Sequence, residues 1–309
     1  MEQKPRFLVS GAPHIHARAT TSVLMLDVIA ALTPAFLCGV WLFGLSALRV
    51  VLLSTVFAVL LEYLYQKLAK KPIRINDLSA AVTGMILGLS LPSTAPWWMI
   101  LVGDLVAIVL VKQLFGGIGD NFVNPALTAR AVLLASWPAL MAAAAYVSPL
   151  DAVSAATPLG ESAAAYPYLE LFLGRVPGSI GEVSKLAILL GFAYLLIRKT
   201  ITWHIPVTMI ASFALFTFLF GGDPLQGVLT GSVLFGAVFM ATDYVTSPMT
   251  RPGKMIYAAG AGLIIALIRA YGSYPEGTTY GILLMNVATP LIDRMTKRRI
   301  YGEVKKSHA

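Results

Sequence analysis

Long apolar runs constrain this chain more than any other feature. Segments of about 15 to 23 mostly apolar residues recur along nearly its whole length. Polar or charged turns separate them. The chain has 309 residues, of which 57% are hydrophobic and 12% charged. A soluble domain would carry roughly twice that charged fraction. The pattern predicts an all-α polytopic membrane protein, because in a lipid bilayer the backbone must satisfy its own hydrogen bonds.

About ten spans are expected. The first two are roughly Ser22–Gly44 and Ser46–Tyr65, followed by a basic loop with Lys67, Lys70, Lys71 and Arg74. A short third span, Leu78–Leu91, stops at Pro92, and a fourth runs over Trp97–Phe115. A Gly-rich turn, Gly116-Gly117-Ile118-Gly119-Asp120-Asn121, leads through Asn124-Pro125 to a fifth span, Ala126–Tyr146. The remaining spans are Ser184–Ile197, Ile205–Phe220, Val228–Asp243, Met255–Arg269 and Thr279–Ile292. The turn Gly116–Gly119 is not a nucleotide fingerprint, since it lacks a strand–turn–helix context.

Charge sets the orientation. If Lys4, Arg6 and Arg18 lie in the cytoplasm, then so do the Lys67–Arg74 loop, the Arg198-Lys199 turn, the Arg251/Lys254 loop and the tail from Arg294 to Lys306. That is the positive-inside pattern, and it also explains the net charge of +8 without a nucleic-acid partner. Both termini are then cytoplasmic, and the long loop over Val147–Val183 faces outward (the periplasmic side of a cell membrane). No cleavable signal peptide is expected, because the region up to Arg18 is polar and basic and the first apolar run is too long for an h-region.

The chain reads as one integral domain, residues 1–309. A five-span half (1–146), an external loop (147–183) and a second five-span half (184–309) succeed one another. The halves share features. Leu91-Pro92-Ser93 and Thr246-Ser247-Pro248 each follow a third span, and Asn124-Pro125…Arg130 parallels Asn286…Pro290…Arg294. An odd number of spans per half gives opposite orientations, so two inverted repeats are expected, as in transporter folds.

Residue counts narrow the chemistry. Cys38 is the sole cysteine, so the chain alone ligates no iron–sulfur cluster and forms no internal disulfide. His14, His16, His204 and His308 all lie outside the centres of apolar runs, which argues against a bis-His haem in the membrane. His14 and His16 fit interfacial residues better than a metal site, and no metal site is expected. The outer loop holds Asp151-Ala152-Val153-Ser154-Ala155-Ala156-Thr157-Pro158. This resembles the D-x-x-[ST]-[GA]-A-T signal of the flavin transferase that links FMN to threonine. Its small residues suit entry into an enzyme cleft, and Pro158 keeps Thr157 extended. The plain alternative is a Ser/Thr/Ala loop or helix cap.

Ionisable residues inside spans are functional candidates by default: Asp27, Glu62, Asp104, Lys112 and Asp243. Asp104 lies deepest, either lining an ion or proton path or pairing with Lys112 on the same helix face. Lys112 has a snorkelling alternative, and Glu62 and Asp243 an interfacial one. Asn124 and Asn286 are expected at helix starts. There, free N–H groups suit an anion or a flavin edge, while ordinary capping is the simpler reading.

Taken in order, several strings resemble one family. They are Ser10-Gly11-Ala12-Pro13-His14-Ile15-His16, the Gly116–Asn121 turn with Asn124-Pro125-Ala126, Pro177 to Ser184, Ala241 to Pro248, Tyr274-Pro275-Glu276-Gly277, and Pro290-Leu291-Ile292-Asp293. The chain resembles the D subunits of Rnf complexes, the ion-translocating ferredoxin:NAD oxidoreductases, and the B subunits of sodium-pumping NADH:quinone reductases. The Pro-His-Ile-His start, with no long extension before it, favours the former. Tyr244 departs from the pattern, which has Pro in that turn. The resemblance implies a urea-transporter-like fold, FMN held covalently through a phosphoester to Thr157, and recognition of Asp151, Ser154 and Ala156 by the transferase. It leaves room for a second, non-covalent flavin. It implies electron relay coupled to Na⁺ or H⁺ transport, with no complete active site on this chain. The Rnf partners it implies are the FMN-bearing G subunit, the A and E membrane subunits, the NADH-binding C subunit and the ferredoxin-type B subunit. A stand-alone solute transporter or channel on the same scaffold is the rival reading.

Overall fold

A computed structural model describes residues 20–141, 166–272 and 276–297. Among the described residues the regular structure is entirely helical. The elements are α1 (Thr21–Phe43), α2 (Leu45–Leu68), α3 (Ser79–Leu89), α4 (Trp97–Asp104), α5 (Pro125–Ser136), α6 (Pro138–Met141) and α7 (Tyr168–Leu173). After them come α8 (Lys185–Ile197), α9 (His204–Leu219), α10 (Pro224–Leu229), α11 (Val233–Phe235), α12 (Arg251–Tyr271) and α13 (Thr278–Thr296). Two stretches wind as π-helix: Leu105–Gln113, continuing α4, and Gly236–Met240, continuing α11.

Capping residues set the helix starts. Thr20, Asn124, Ser184, Asp223 and Thr250 each accept a backbone N–H of the first turn of α1, α5, α8, α10 and α12. Proline follows in the first turn of α5, α10 and α12, where a missing N–H is harmless. Helix α1 stops at Gly44, whose φ of +69° suits a residue without Cβ. Among the described residues three helices, α1, α2 and α12, are long and apolar enough to cross a membrane, and shorter apolar helices α3, α5, α8 and α9 accompany them. Large apolar side chains also cover the outside, among them Trp41, Leu64, Ile197 and Leu291. Several apolar helices with an apolar exterior are the build of a membrane protein.

The structure corrects two expected spans. The fifth breaks after Ser136, because Pro138 forces Trp137 out of helical geometry to φ −132°, ψ 63°. The eighth is interrupted where α10 ends at extended Thr230 and Gly231 takes a φ of +62°. Only after this break does the chain re-enter helix at Val233.

Packing relies on small residues. Helix α3 lies on α2, with Gly84 and Gly88 one turn apart at the contact. A Cβ on Gly84 would come within 2.6 Å of the Ser54 carbonyl, and one on Gly88 within 2.9 Å of the Val51 Cα. In the second half Gly262 lets α12 approach α9, where a Cβ would meet the Met209 carbonyl at 2.7 Å. Small residues let backbones meet where lipid offers no hydrophobic drive to associate. Helix α1 packs on α8, and α5 on α13, joining the two parts of the chain.

Candidate functional site: a central cavity and its buried charges

Helices α1 and α3, the start of α5, Leu195 of α8 and the two π-helical stretches line a cavity of about 430 Å³. Its walls are apolar, with Leu24 and Val28 from α1, Val82 and Ile86 from α3, and Phe239 from the second π-helical stretch. Its polar lining residues include Ser79, Lys112, Asn121, Asn124, Thr242 and Asp243. Apolar walls with few polar groups are the usual make-up of a small-molecule site, whose volumes run from about 300 to 1,000 Å³.

Lys112 Nζ lies 2.9 Å from Glu62 Oε1 and donates to Ser79 Oγ at 2.6 Å. Gln113 Nε2 donates to the same Glu62 carboxylate at 2.5 Å, and Gln66 Nε2 at 3.4 Å. Both members of the ion pair are buried, so the supporting hydrogen bonds offset the cost of removing two charges from water. Asn124 Oδ1 accepts the Leu127 N–H, and its Nδ2 donates to the Met240 carbonyl at 3.2 Å. It therefore caps α5 and also ties that helix to the π-helical stretch opposite.

Asp243 ends that stretch in a turn. Its carboxylate accepts the Val245 N–H at 3.4 Å and the Thr246 hydroxyl at 3.2 Å. Tyr244 also lines the cavity and donates its hydroxyl to the Thr200 carbonyl. Burial, then the carboxylates of Asp27 and Asp243, lift this phenol above its ordinary range and keep it a donor. Asp27 bonds Arg198 Nε (3.1 Å), Tyr194 (3.1 Å) and Thr200 (3.2 Å), fastening α1 to the end of α8.

Three of the expected site residues, Lys112, Asn124 and Asp243, therefore meet at one cavity. Two others do not line it. Asp104 lies among α2, α3 and α5 with its Oδ1 accepting from Ser54 at 3.1 Å and its Oδ2 without a hydrogen-bond partner. The expected pairing of Asp104 with Lys112 is wrong. Eight residues of helix separate them by about 12 Å, the π-helical stretch shifts their relative faces, and Glu62 offers Lys112 a nearer carboxylate. Asn286 is not at a helix start but in the middle of α13, buried, with Oδ1 accepting from the Tyr257 hydroxyl at 2.7 Å. Pro290 misled the reading: it sits inside the helix and deprives the Asn286 carbonyl of its usual N–H.

Sequence reasoning missed a second set of charges, buried at Arg130, Glu276 and Lys185 and partly buried at Arg269. Arg130 on α5 donates from Nη2 to both oxygens of Glu276, at 2.7 and 2.5 Å, and from Nη1 to the Ser90 carbonyl. Lys185, at the start of α8, donates to the carbonyls of Glu182 and Gly231. Arg269 on α12 holds the carbonyls of Gly227 and Thr230 at 2.8 and 3.2 Å. The signal was present in Arg130, a charge in the middle of an apolar run. The rule that picked out Lys112 applies to it equally.

Thr157, Asp151, Ser154 and Ala156 lie outside the described residues, as do His14 and His16. Among the described residues no three His, Cys, Asp or Glu side chains gather as a metal site.

Comparison with known proteins extends these findings. The model of the NQR2, RnfD, RnfE family matches residues 8–302. The chain is 51% identical to the D subunit of the Na⁺-translocating ferredoxin:NAD⁺ oxidoreductase complex of Acetobacterium woodii, over 96% of each chain. It is 42% identical to the D subunit of the proton-translocating ferredoxin:NAD⁺ oxidoreductase complex of Clostridium ljungdahlii, over 97% of each. The D subunit of an ion-translocating oxidoreductase complex of Escherichia coli is 34% identical over 97% of this chain and 99% of its own.

Proposed function

The chain belongs to the NQR2, RnfD, RnfE family, and from that membership we propose that it is the D-type membrane subunit of an ion-translocating ferredoxin:NAD oxidoreductase. The observation that carries the reading is the near-full-length match to relatives named as D subunits, at 51% and 42% identity. The proposal includes FMN on Thr157, supported by the Asp151–Thr157 string in the loop that the charge pattern assigns to the outside. Partner subunits supply the NAD and ferredoxin sites, for which the sequence offers no motif.

The architecture proposed is ten spans in two inverted repeats. In its support, α3 and the α11 segment are both short and both precede a Ser/Pro element, at Pro92 and, eight residues after Met240, at Pro248, while α1 packs on α8 and α5 on α13.

The residues of the central cavity also fit a second, non-covalent flavin. Apolar walls from α1 and α3 suit a flat ring, and the Asn121, Thr242 and Asp243 side chains suit its polar edge. A flavin supplies electron transfer when bound. The chain's own part is to keep the cavity in shape. Asn124 ties α5 to the π-helical stretch, the Glu62–Lys112–Ser79 cluster fixes one polar corner, and Asp27 fastens α1 to α8. Coupling to Na⁺ or H⁺ then requires that reduction change the relative stability of inward- and outward-open arrangements.

The test is ultraviolet fluorescence of the denatured chain on a gel after co-expression with flavin transferase. The wild-type band is expected to fluoresce and the Thr157→Ala band to be dark. A dark wild-type band, or a fluorescent Thr157→Ala band, overturns the attachment. For sidedness, a Ser162→Cys variant is expected to react with an impermeant thiol reagent from outside. Reaction from the cytoplasm alone overturns the topology.

A further inference from the structure

Asp104 ends α4 where that helix passes into its π-helical continuation, and none of its surface is exposed. The enclosure is by the chain itself. Gly103, the residue before it, packs so closely on Leu133 of α5 and Leu87 of α3 that a Cβ would stand 2.9 and 3.3 Å from their side chains. On the far side Gly84 seats α3 directly on the Ser54 backbone of α2.

The carboxyl has one polar neighbour. Ser54 Oγ lies 3.1 Å from Asp104 Oδ1 and 2.8 Å from the Gly84 carbonyl oxygen, while Asp104 Oδ2 has no partner. The cations on the surrounding elements are engaged elsewhere. Lys112 holds Glu62 and Ser79, Arg130 on α5 holds Glu276 and the Ser90 carbonyl, and Arg49 on α2 donates to the Ala95 carbonyl. Lys67 stands over the Tyr63 ring at the end of α2, and α3 has no ionisable side chain. The other acid on these helices, Glu62, lies eight positions beyond Ser54 and belongs to Lys112.

We infer that Asp104 and Ser54 form a proton-binding site inside the helix bundle, with Asp104 present as the neutral acid. Two arguments select the proton as the ligand. The first is a count of hydrogens. A serine hydroxyl has one, and a carbonyl oxygen can only accept. Ser54 can serve Asp104 only by abandoning the nearer Gly84 carbonyl. A protonated Asp104 removes the conflict: Oδ1 donates to Ser54 Oγ, and Ser54 donates to Gly84. The second is desolvation. An ionised carboxylate enclosed without a cation, and sharing one donor, is far costlier to bury than a neutral acid. Only the neutral form leaves Oδ2 as an ordinary carbonyl oxygen, whose lack of a partner is a modest cost.

Proton release leaves the bonding electrons on Oδ1 and passes the proton to water. Water reaches the carboxyl only if α3 parts from α2, or α5 from α4. Proton loss and helix separation are therefore linked, because the ionised form is stable only in the opened arrangement. The site needs no flavin and no partner subunit, so it stands or falls independently of the function proposed above.

Infrared spectra of the purified full-length protein, with aspartate isotope-labelled at its side-chain carboxyl, test the site at about pH 7. An ordinary aspartate is ionised above about pH 3.9 and shows no acid band there. The wild type is expected to show the carbonyl stretch of a protonated aspartate, and Asp104→Asn to lose it. Ser54→Ala is expected to shift the band to higher wavenumber as its hydrogen bond disappears, and Ser54→Thr to restore its position. These two variants leave Asp104 in place and decide the matter even where Asp104→Asn fails to fold. In deuterium oxide the wild-type band is expected to hold its position long after exposed amides have exchanged. A wild-type spectrum without an acid band, or a band that survives in folded Asp104→Asn, overturns the site. A band unmoved in Ser54→Ala overturns the hydrogen bond that defines it. A shift immediate on adding deuterium oxide overturns the link to helix separation. Loss of the band on adding sodium chloride but not choline chloride overturns the proton in favour of a sodium ion.

Discussion

Arg130 and Glu276 form a bidentate ion pair that joins α5 to the entrance of α13, residues 146 positions apart in sequence. Both carboxylate oxygens are engaged, and the guanidinium also holds the Ser90 carbonyl at the end of α3. One side chain thus secures three elements at the junction of the two parts of the chain.

Removing one partner should be far more damaging than removing both. Arg130→Met leaves a buried carboxylate without its cation, a loss of about 3 to 5 kcal/mol for a broken buried pair. Arg130→Met with Glu276→Leu removes both charges and should recover much of that loss. Thermal unfolding of the detergent-solubilised protein measures it. A double variant no more stable than the single would show that the pair does not act as a unit.

The α2–α3 contact gives a second prediction. Gly84→Leu must push α3 off α2, because even a Cβ would stand 2.6 Å from the Ser54 carbonyl and 2.8 Å from the Ala58 Cβ. Such overpacking costs about 1 to 3 kcal/mol or more. Gly44→Ala meets no atom within 4 Å and pays only for its left-handed φ. The expected order of folded yield in membranes is wild type, then Gly44→Ala, then Gly84→Leu, read by size-exclusion chromatography of a fluorescent fusion.

Filling the central cavity separates its role from that of the outer loop. Val82→Trp projects an indole into the space bounded by Leu24, Ile86 and Phe239. Acid precipitation releases non-covalent flavin and retains covalent flavin in the pellet. The variant is expected to lose the released fraction and keep the fluorescence of the pellet. Released flavin at the wild-type level would show that the cavity holds none.

The sequence made the helices legible because their apolar runs and their caps agree. Thr20, Asn124 and Ser184 mark starts that the apolar pattern also marks. It made breaks inside apolar runs less legible. Thr230-Gly231-Ser232 is a short polar cluster inside Val228–Asp243, and Pro138 stands among apolar residues, so the length of each apolar run outweighs the local break signal. At the site, residue type announced Lys112, Asn124 and Asp243. Partner choice did not follow from type. Lys112 selects Glu62 from another helix over Asp104 on its own, and this depends on π-helical winding that no periodicity reveals. Arg130 was legible as an intramembrane charge, but its partner Glu276 lies in a turn, where a carboxylate looks solvated.

The Tyr168–Asp223 contact, which ties α7 to α10, predicts a pH dependence at both ends of the scale. The Tyr168 hydroxyl, donating at 2.5 Å, holds the Asp223 carboxyl below its ordinary range. A carboxyl depressed in the folded state adds stability above its unfolded pKa, about 3.9, and loses it as pH falls through the folded value. The same bond holds the Tyr168 phenol above its ordinary value of 10.0. A group raised in the folded state adds stability fully below its unfolded pKa, and that stability fades as pH rises through the folded value. Tyr168→Phe should therefore lower thermal stability between about pH 5 and 9 and converge with wild type at acid and alkaline extremes. The effect should be small, because both groups are exposed and salt screens them. Melting curves from pH 3 to 11 at low salt test it, and a gap between the two proteins that stays constant with pH would assign the contact to packing.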